Sequence, residues 1–297
     1  MKNNVFIRVN IVNCRTDLAI EKHELSCEEN IEGIKKEEYS YDNASVTLIE
    51  VLDDEIALKF GNPKGKYYTI ELTEFSHETE LLDGRLKVIT EVITELLPKT
   101  EGAVLVAGLG NNAITPDALG PMCAEKIFST RHLINGLADE LDLPDFNSVA
   151  AVSTGVLAQT GIETAEYIKG VASLVKPKAV VVVDALVSTT FSRLGKTIQL
   201  SDAGITPGSG VGNYRNKIDK DSIGIPVIAI GIPTIIDSNT LVCGSSDLPK
   251  EKMTDTNMIV TPYDIDLIIE RASRLLALSI NCALQPQIEP QFLLSLM

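Results

Sequence analysis

From residue 82 onwards, short apolar runs ending in glycine or a carboxylate alternate with stretches of helical periodicity. Residues 103–107 form an apolar run closed by Gly108-Leu109-Gly110-Asn111, the pattern of a strand covered on both faces. Residues 148–152, ending at Ser153-Thr154-Gly155, and residues 227–230, ending at Gly231-Ile232-Pro233-Thr234, repeat it. The clearest instance is Ala179-Val180-Val181-Val182-Val183, which runs straight into Asp184. The intervening segments have the length of crossovers, which predicts an α/β fold with a mostly parallel sheet and helices on both faces. In such a sheet the carboxyl ends of the strands share one edge, so these glycine turns and Asp184 are expected to converge there.

Two amphipathic stripes complete the pattern. Leu82, Leu86, Ile89, Val92, Ile93, Leu96 and Leu97 predict a helix ending before Pro98. Ile265, Ile268, Ile269, Ala272, Leu275 and Leu276 predict another, with Thr261-Pro262-Tyr263-Asp264 as its capped start. A further helix is expected to run from Pro121 towards Arg131-His132. The first forty residues are mixed and increasingly charged and promise no packed element, and from Ser45 the pattern becomes strand-like. Ala57-Leu58-Lys59-Phe60 and Tyr67-Tyr68-Thr69-Ile70 flank a glycine- and proline-containing turn, so hairpin elements are expected over about 45–72. Residues 202–213 form a glycine-rich loop that either shapes a binding site or is disordered. The tail over 285–297 packs on the domain or on a partner.

Composition narrows the function classes. The 297 residues are 44% hydrophobic, enough for a sizeable core. The 41 acidic against 26 basic residues give a formal charge of −15, a surface that repels phosphate backbones and anionic lipid. No direct nucleic-acid or membrane partner is therefore expected. No apolar run reaches the roughly 18 residues of a membrane span. Cys14, Cys27, Cys123, Cys243 and Cys282 are scattered, and the first residues lack a signal-peptide core, which points to the reducing cytoplasm.

Two carboxylates stand out. Thr115 reads as an N-cap with Pro116 at the first helical position, which puts Asp117 in a first helical turn. It serves there either the helix dipole or the cleft at the sheet edge. Asp184 either caps a turn or surfaces into the same cleft. Two carboxylates at one cleft push their pKa values apart, an arrangement suited to hydrolysis with one ionised and one protonated partner. The dinucleotide fingerprint, phosphate loop, Asp-Thr/Ser-Gly and Gly-x-Ser-x-Gly motifs are missing. His23, His77 and His132 show no metal-ligand spacing. Glu163 is a further carboxylate near a strand-to-helix junction, where it serves either a site or the helix dipole.

Arg15-Thr16-Asp17-Leu18-Ala19, Thr115-Pro116-Asp117-Ala118-Leu119-Gly120-Pro121, Gln159-Thr160-Gly161-Ile162-Glu163-Thr164, Asp184-Ala185-Leu186 and Pro207-Gly208-Ser209-Gly210-Val211-Gly212-Asn213 follow one another in an order that resembles the germination protease family of spore-forming bacteria. The resemblance implies a fold similar to hydrogenase-maturation endopeptidases and an endopeptidase that degrades small acid-soluble spore proteins in the spore core. It implies Asp117 and Asp184 as an aspartic-type catalytic pair, no required metal or cofactor, and a homotetramer. It also implies a zymogen that removes its own N-terminal segment. Family substrates are cut after an acidic residue and before a large apolar residue followed by alanine. Thr16-Asp17-Leu18-Ala19 has that form, so self-cleavage is expected between Asp17 and Leu18. The organisation is then a propeptide over 1–17, a single peptidase domain over 18–284 and a tail over 285–297. A metal-dependent maturation-type protease and a non-catalytic peptide-binding paralogue are the alternatives.

Overall fold

The computed structural model describes residues 15–26, 31–41, 44–72, 75, 80–136, 146–212, 215–237 and 258–297. His77 and most of the expected propeptide lie outside them.

The described strands form one sheet: β1 (Ile34–Tyr41), β2 (Ala44–Val51), β3 (Gly65–Glu71), β4 (Val104–Leu109), β5 (Val149–Gly155), β6 (Ala179–Ser188), β7 (Thr197–Ser201), β8 (Val227–Asp237) and β9 (Ile259–Val260). Their order is β1-β2-β3-β7-β8-β6-β4-β5, with β9 added to β8. The core strands β8, β6, β4 and β5 are parallel, as expected. The flank from β1 through β3 and β7 to β8 is antiparallel. Val180, Val181, Val182 and Val183 are completely buried, because β6 lies mid-sheet with both faces covered. Each such side chain contributes about 1.5–3 kcal/mol of burial.

On one face pack α3 (Gly84–Leu96), α4 (Leu119–Ala124) and the long α9 (Ile265–Leu284), through Ile89, Leu119, Cys123, Ile268 and Leu276 among others. The opposite face is covered in two patches. The first is α7 (Thr164–Val175) with α8 (Lys220–Ile223) over β4, β6 and β8. The second is α1 (Ala19–Leu25) with α2 (Asp54–Phe60) over β2 and β3. The chain leaves β4 through α4 on one face and returns from β5 to β6 through α7 on the other. In open α/β sheets such a reversal sets a crevice beyond the carboxyl ends of the two strands, here β4 and β6.

Several elements depart from expectation. Residues 57–60 belong to helix α2, not a hairpin strand. The Asp53 side chain accepts the Ile56 N–H at 2.8 Å to start the helix, and Gly61 in the left-handed conformation (φ 78°) ends it. The charged front of the chain contains α1, whose Leu18, Ala19 and Ile20 are in the core. The helix expected after Pro121 stops at Ala124 and resumes as α5 (Arg131–Gly136). Between them the Phe128 N–H bonds the Asn281 side chain at 2.9 Å and the Thr130 N–H bonds the Val149 carbonyl at 3.0 Å. Asp264 precedes α9 without a side-chain cap. The tail forms α10 (Pro290–Ser295) and buries Leu293 against the α3–α9 core, so it packs on the chain's own fold.

Candidate active site

Asp117 comes to the crevice on a 3-10 turn, Thr115–Asp117, rather than in the first turn of an α-helix. Ile114 precedes that turn and Thr115 makes no cap. Instead the Asp117 N–H bonds the Ile114 carbonyl at 2.8 Å and the Asn111 N–H bonds the Asp117 carbonyl at 3.0 Å. Thr234 on β8 donates to the Pro116 carbonyl at 2.8 Å, which moors the turn to the sheet. Gly110 (φ 112°) lies so close that a Cβ there would strike the Asp117 carbonyl oxygen.

Asp184 sits inside β6, because the strand continues to Ser188. Strand alternation puts Val182 and Leu186 on the same face as Asp184. Val182 belongs to the apolar cluster under α7 and Leu186 to that under α1, so Asp184 lies where the two patches meet. Its carboxylate accepts the Ala185 N–H at 2.9 Å. Burial raises its pKa well above the ordinary carboxylate range, and the charges of Asp117 and Asp17 raise it further. Asp117 is pushed up to about 6 by burial, against a bond from the Asn111 backbone. The strand ends thus join a carboxyl whose burial and carboxylate neighbours favour its protonated form to one that titrates near 6.

A third carboxylate enters from the front of the chain. Asp17 is paired to the end of β6, its N–H donating to the Val187 carbonyl at 3.0 Å. Its side chain accepts the Val187 N–H at 2.9 Å and the Ser209 hydroxyl at 2.6 Å. Gln199 on β7 donates to the Asp17 carbonyl at 3.0 Å and accepts the Ala19 N–H at 2.7 Å, so one amide group brackets the Asp17–Leu18 bond. Gln199 pairs with Gly231 and Gly231 with Asp184, which sets the three in one row across β7, β8 and β6. Burial raises the Asp17 carboxyl, while Ser209 and the Val187 N–H pull the other way. The glycine-rich loop expected between the last strands is therefore ordered over the described residues. It closes on this segment, with Gly210 against the Asp17 carboxylate and Gly212 against the Arg15 guanidinium.

Behind Asp17, buried Glu21 accepts bonds from the hydroxyls of Thr16, Ser188 and Thr190 and from the Thr189 N–H at 2.8 Å. Arg193 makes two bonds to Glu24, at 2.7 and 2.6 Å, and also pairs with Glu71 and Glu21. Ser209 lies in the glycine-rich loop expected to shape a binding site or to be disordered, whereas none of Gln199, Glu21 or Arg193 was evident as part of a site from residue spacing. Their one signal was the apolar Leu18-Ala19-Ile20 ahead of Glu21, too short a run to read as a packed helix. From the Arg15–Asp17 segment an open groove of about 1390 Å³ runs over β7 and β8, past Tyr67, Ser201, Ala203 and Ile205.

The remaining candidates lie elsewhere. Glu163 precedes α7 and pairs with Arg215 at 3.9 Å. His132 is exposed on α5, and His23 is buried on α1. Among the described residues no group of three or more His, Cys, Asp or Glu is placed to hold a metal ion. None of the described helices is long and apolar enough to cross a membrane.

The model of a protein family described as "Germination protease" matches residues 12–252. The germination protease of Caldanaerobacter subterraneus subsp. tengcongensis is 39% identical over 93% of this chain and 95% of its own length. That of Clostridium perfringens (strain ATCC 13124) is 37% identical over 92% and 96%. That of Oceanobacillus iheyensis is 41% identical over 78% of this chain and 66% of its own length. Among solved structures, the NiFe hydrogenase maturation protease HycI of Thermococcus kodakarensis KOD1 is similar at 22% identity and a TM-score of 0.37, covering 65% of this chain and 98% of that one.

Proposed function

The chain belongs to the germination protease family, and on that premise we propose that it is an aspartic-type endopeptidase of small acid-soluble spore proteins that works with Asp117 and Asp184. The observation that carries this reading is the inequality of the two carboxyls. Burial and the neighbouring charge of Asp117 favour the protonated form of Asp184, while Asp117 loses its proton above about pH 6. In the proposed reaction ionised Asp117 takes a proton from water while the Asp184 hydroxyl hydrogen-bonds the scissile carbonyl. The water oxygen bonds to the carbonyl carbon, the C–N bond breaks, and the departing amine receives the proton that Asp117 collected.

The same reading includes a zymogen that cuts itself between Asp17 and Leu18, homotetramer assembly and action in the spore core. The docking of Asp17 beside the crevice supports the self-cleavage, since it keeps that bond near the proposed pair.

Intact-mass analysis of the full chain, alone and mixed with a small acid-soluble spore protein, tests the proposal. Wild type is expected to cut after acidic residues with or without chelator. Asp117→Asn and Asp184→Asn are each expected to slow cutting at least a thousandfold. Undiminished cutting by either variant removes that residue from the mechanism, and an uncut substrate with wild type removes the peptidase reading.

A further inference from the structure

We propose that Ser209, Gly210 and the Val187 N–H form the subsite that reads an acidic side chain of the substrate, and that Asp17 occupies it here as an internal stand-in. The inference rests on the peptidase reading and adds to it which residues select.

Four contacts define the geometry. The Asp17 main chain is held at both ends, its N–H by the Val187 carbonyl and its carbonyl by the Gln199 amide. Any residue type satisfies those two contacts, because they touch backbone alone. The other two touch only the side chain: the Val187 N–H and the Ser209 hydroxyl both donate to the carboxylate, one to each oxygen. Two donors aimed at two oxygens of a buried group suit an acceptor-only, planar, charged side chain. An amide at this position keeps the Val187 bond through its oxygen, and the Ser209 hydroxyl turns to accept from its NH2, so the carboxylate's advantage is the charge-assisted strength of both bonds. Gly210 sets the depth of the cradle, since a Cβ there would overlap the carboxylate oxygen and the Val187 side chain.

The place of the cradle gives it a role in cutting. It lies at the end of β6, close enough for the Asp17 charge to raise the pKa of Asp184. Gln199, which holds the Asp17 carbonyl, stands in the same cross-strand row as Asp184. A substrate residue seated as Asp17 is seated presents the carbonyl of its following peptide bond to that row. The groove past Tyr67, Ser201, Ala203 and Ile205 gives the rest of such a peptide a path away from the cradle. Both ends of the site are then read on one short peptide: main chain by Gln199 and Val187, charge by Ser209 and the Val187 N–H.

The test uses the full chain and two synthetic peptides that differ only in Asp or Asn before the cut bond. Because both are cut by the same preparation, differences in folding or self-processing cancel in the ratio of their kcat/KM values. Wild type is expected to favour the Asp peptide. Ser209→Ala is expected to lower that ratio about tenfold or more, as loss of a hydrogen bond to a charged group does. Ser209→Thr, which keeps the hydroxyl, is expected to restore most of it. An unchanged ratio in Ser209→Ala, with cutting retained, overturns the subsite and leaves the peptidase reading standing. Failure of wild type to cut either peptide overturns both.

Discussion

A carboxyl that titrates near 6 in the fold and at 3.8 in an unfolded chain makes stability depend on pH. The folded chain holds the proton more tightly, so between those values it binds more protons than the unfolded chain and stability falls as pH rises. For Asp117 the full difference is about 3 kcal/mol, reduced where water reaches the carboxylate. It is absent below about pH 4 and complete above about pH 6. Asp117→Asn removes the ionisation, so the variant is expected to exceed wild type by about 2 kcal/mol at pH 8 and to match it at pH 4. Urea denaturation at the two pH values measures this, and equal stability at pH 8 would show that Asp117 is not held in a desolvated state. The same substitution is expected to end cutting, the exchange of stability for function that strained sites show.

At the scale of elements, the site depends on how closely α4 approaches the sheet. Gly120 in α4 touches the carbonyl oxygens of Leu109 and Val183, and Gly108 in β4 touches the carbonyl of Gly120, so neither contact leaves room for a Cβ. Gly120→Ala is expected to push α4 and the Asp117 turn off the strand ends, costing about 3 kcal/mol in thermal or denaturant unfolding and most of the activity. Wild-type stability in that variant would contradict the contact. The core strands and the long helices were legible in sequence, because runs such as 179–183 and the stripe from Ile265 to Leu276 bury the same face whatever their surroundings. Helix α2 was not: Ala57-Leu58-Lys59-Phe60 fits either period, and the Asp53 cap and the αL conformation of Gly61 decided it. Strand β7 lies just ahead of the glycine-rich loop, in a stretch for which the pattern predicted no element. That Asp117 and Asp184 come near each other was expected from their places at the ends of apolar runs. Gln199 was not legible, and Ser209 only as part of a glycine-rich loop, since what singles them out is contact with Asp17, 182 and 192 positions away.

Across the whole molecule, the Arg193 cluster joins the front of the chain to the sheet. It ties α1 through Glu24 and Glu21, and β3 through Glu71, with the guanidinium largely buried. Glu24 and Glu71 are nearly half exposed and can hydrate, and Glu21 keeps its four other bonds, so removing Arg193 costs less than the roughly 3–5 kcal/mol of breaking a fully buried pair. Arg193→Ala is therefore expected to loosen residues 15–25 before the sheet melts. Hydrogen exchange would show this as lost protection in α1 with β4 and β6 unchanged, and uniform loss across the sheet would mean that the front segment has no separate stability.

The bonds that seat Asp17 reach residues 170 to 192 positions further along the chain. A ribosome adding roughly 5–20 residues each second needs about ten to forty seconds to cover that distance. Throughout that interval the Asp17–Leu18 bond has left the ribosome with nothing to lie against, and until residue 184 is added there is no acid to act on it. The bond and the machinery proposed to break it are first brought together only once residues up to 209 have been made and have folded onto β6, so the clock of the proposed self-cleavage starts late in synthesis and not at its beginning.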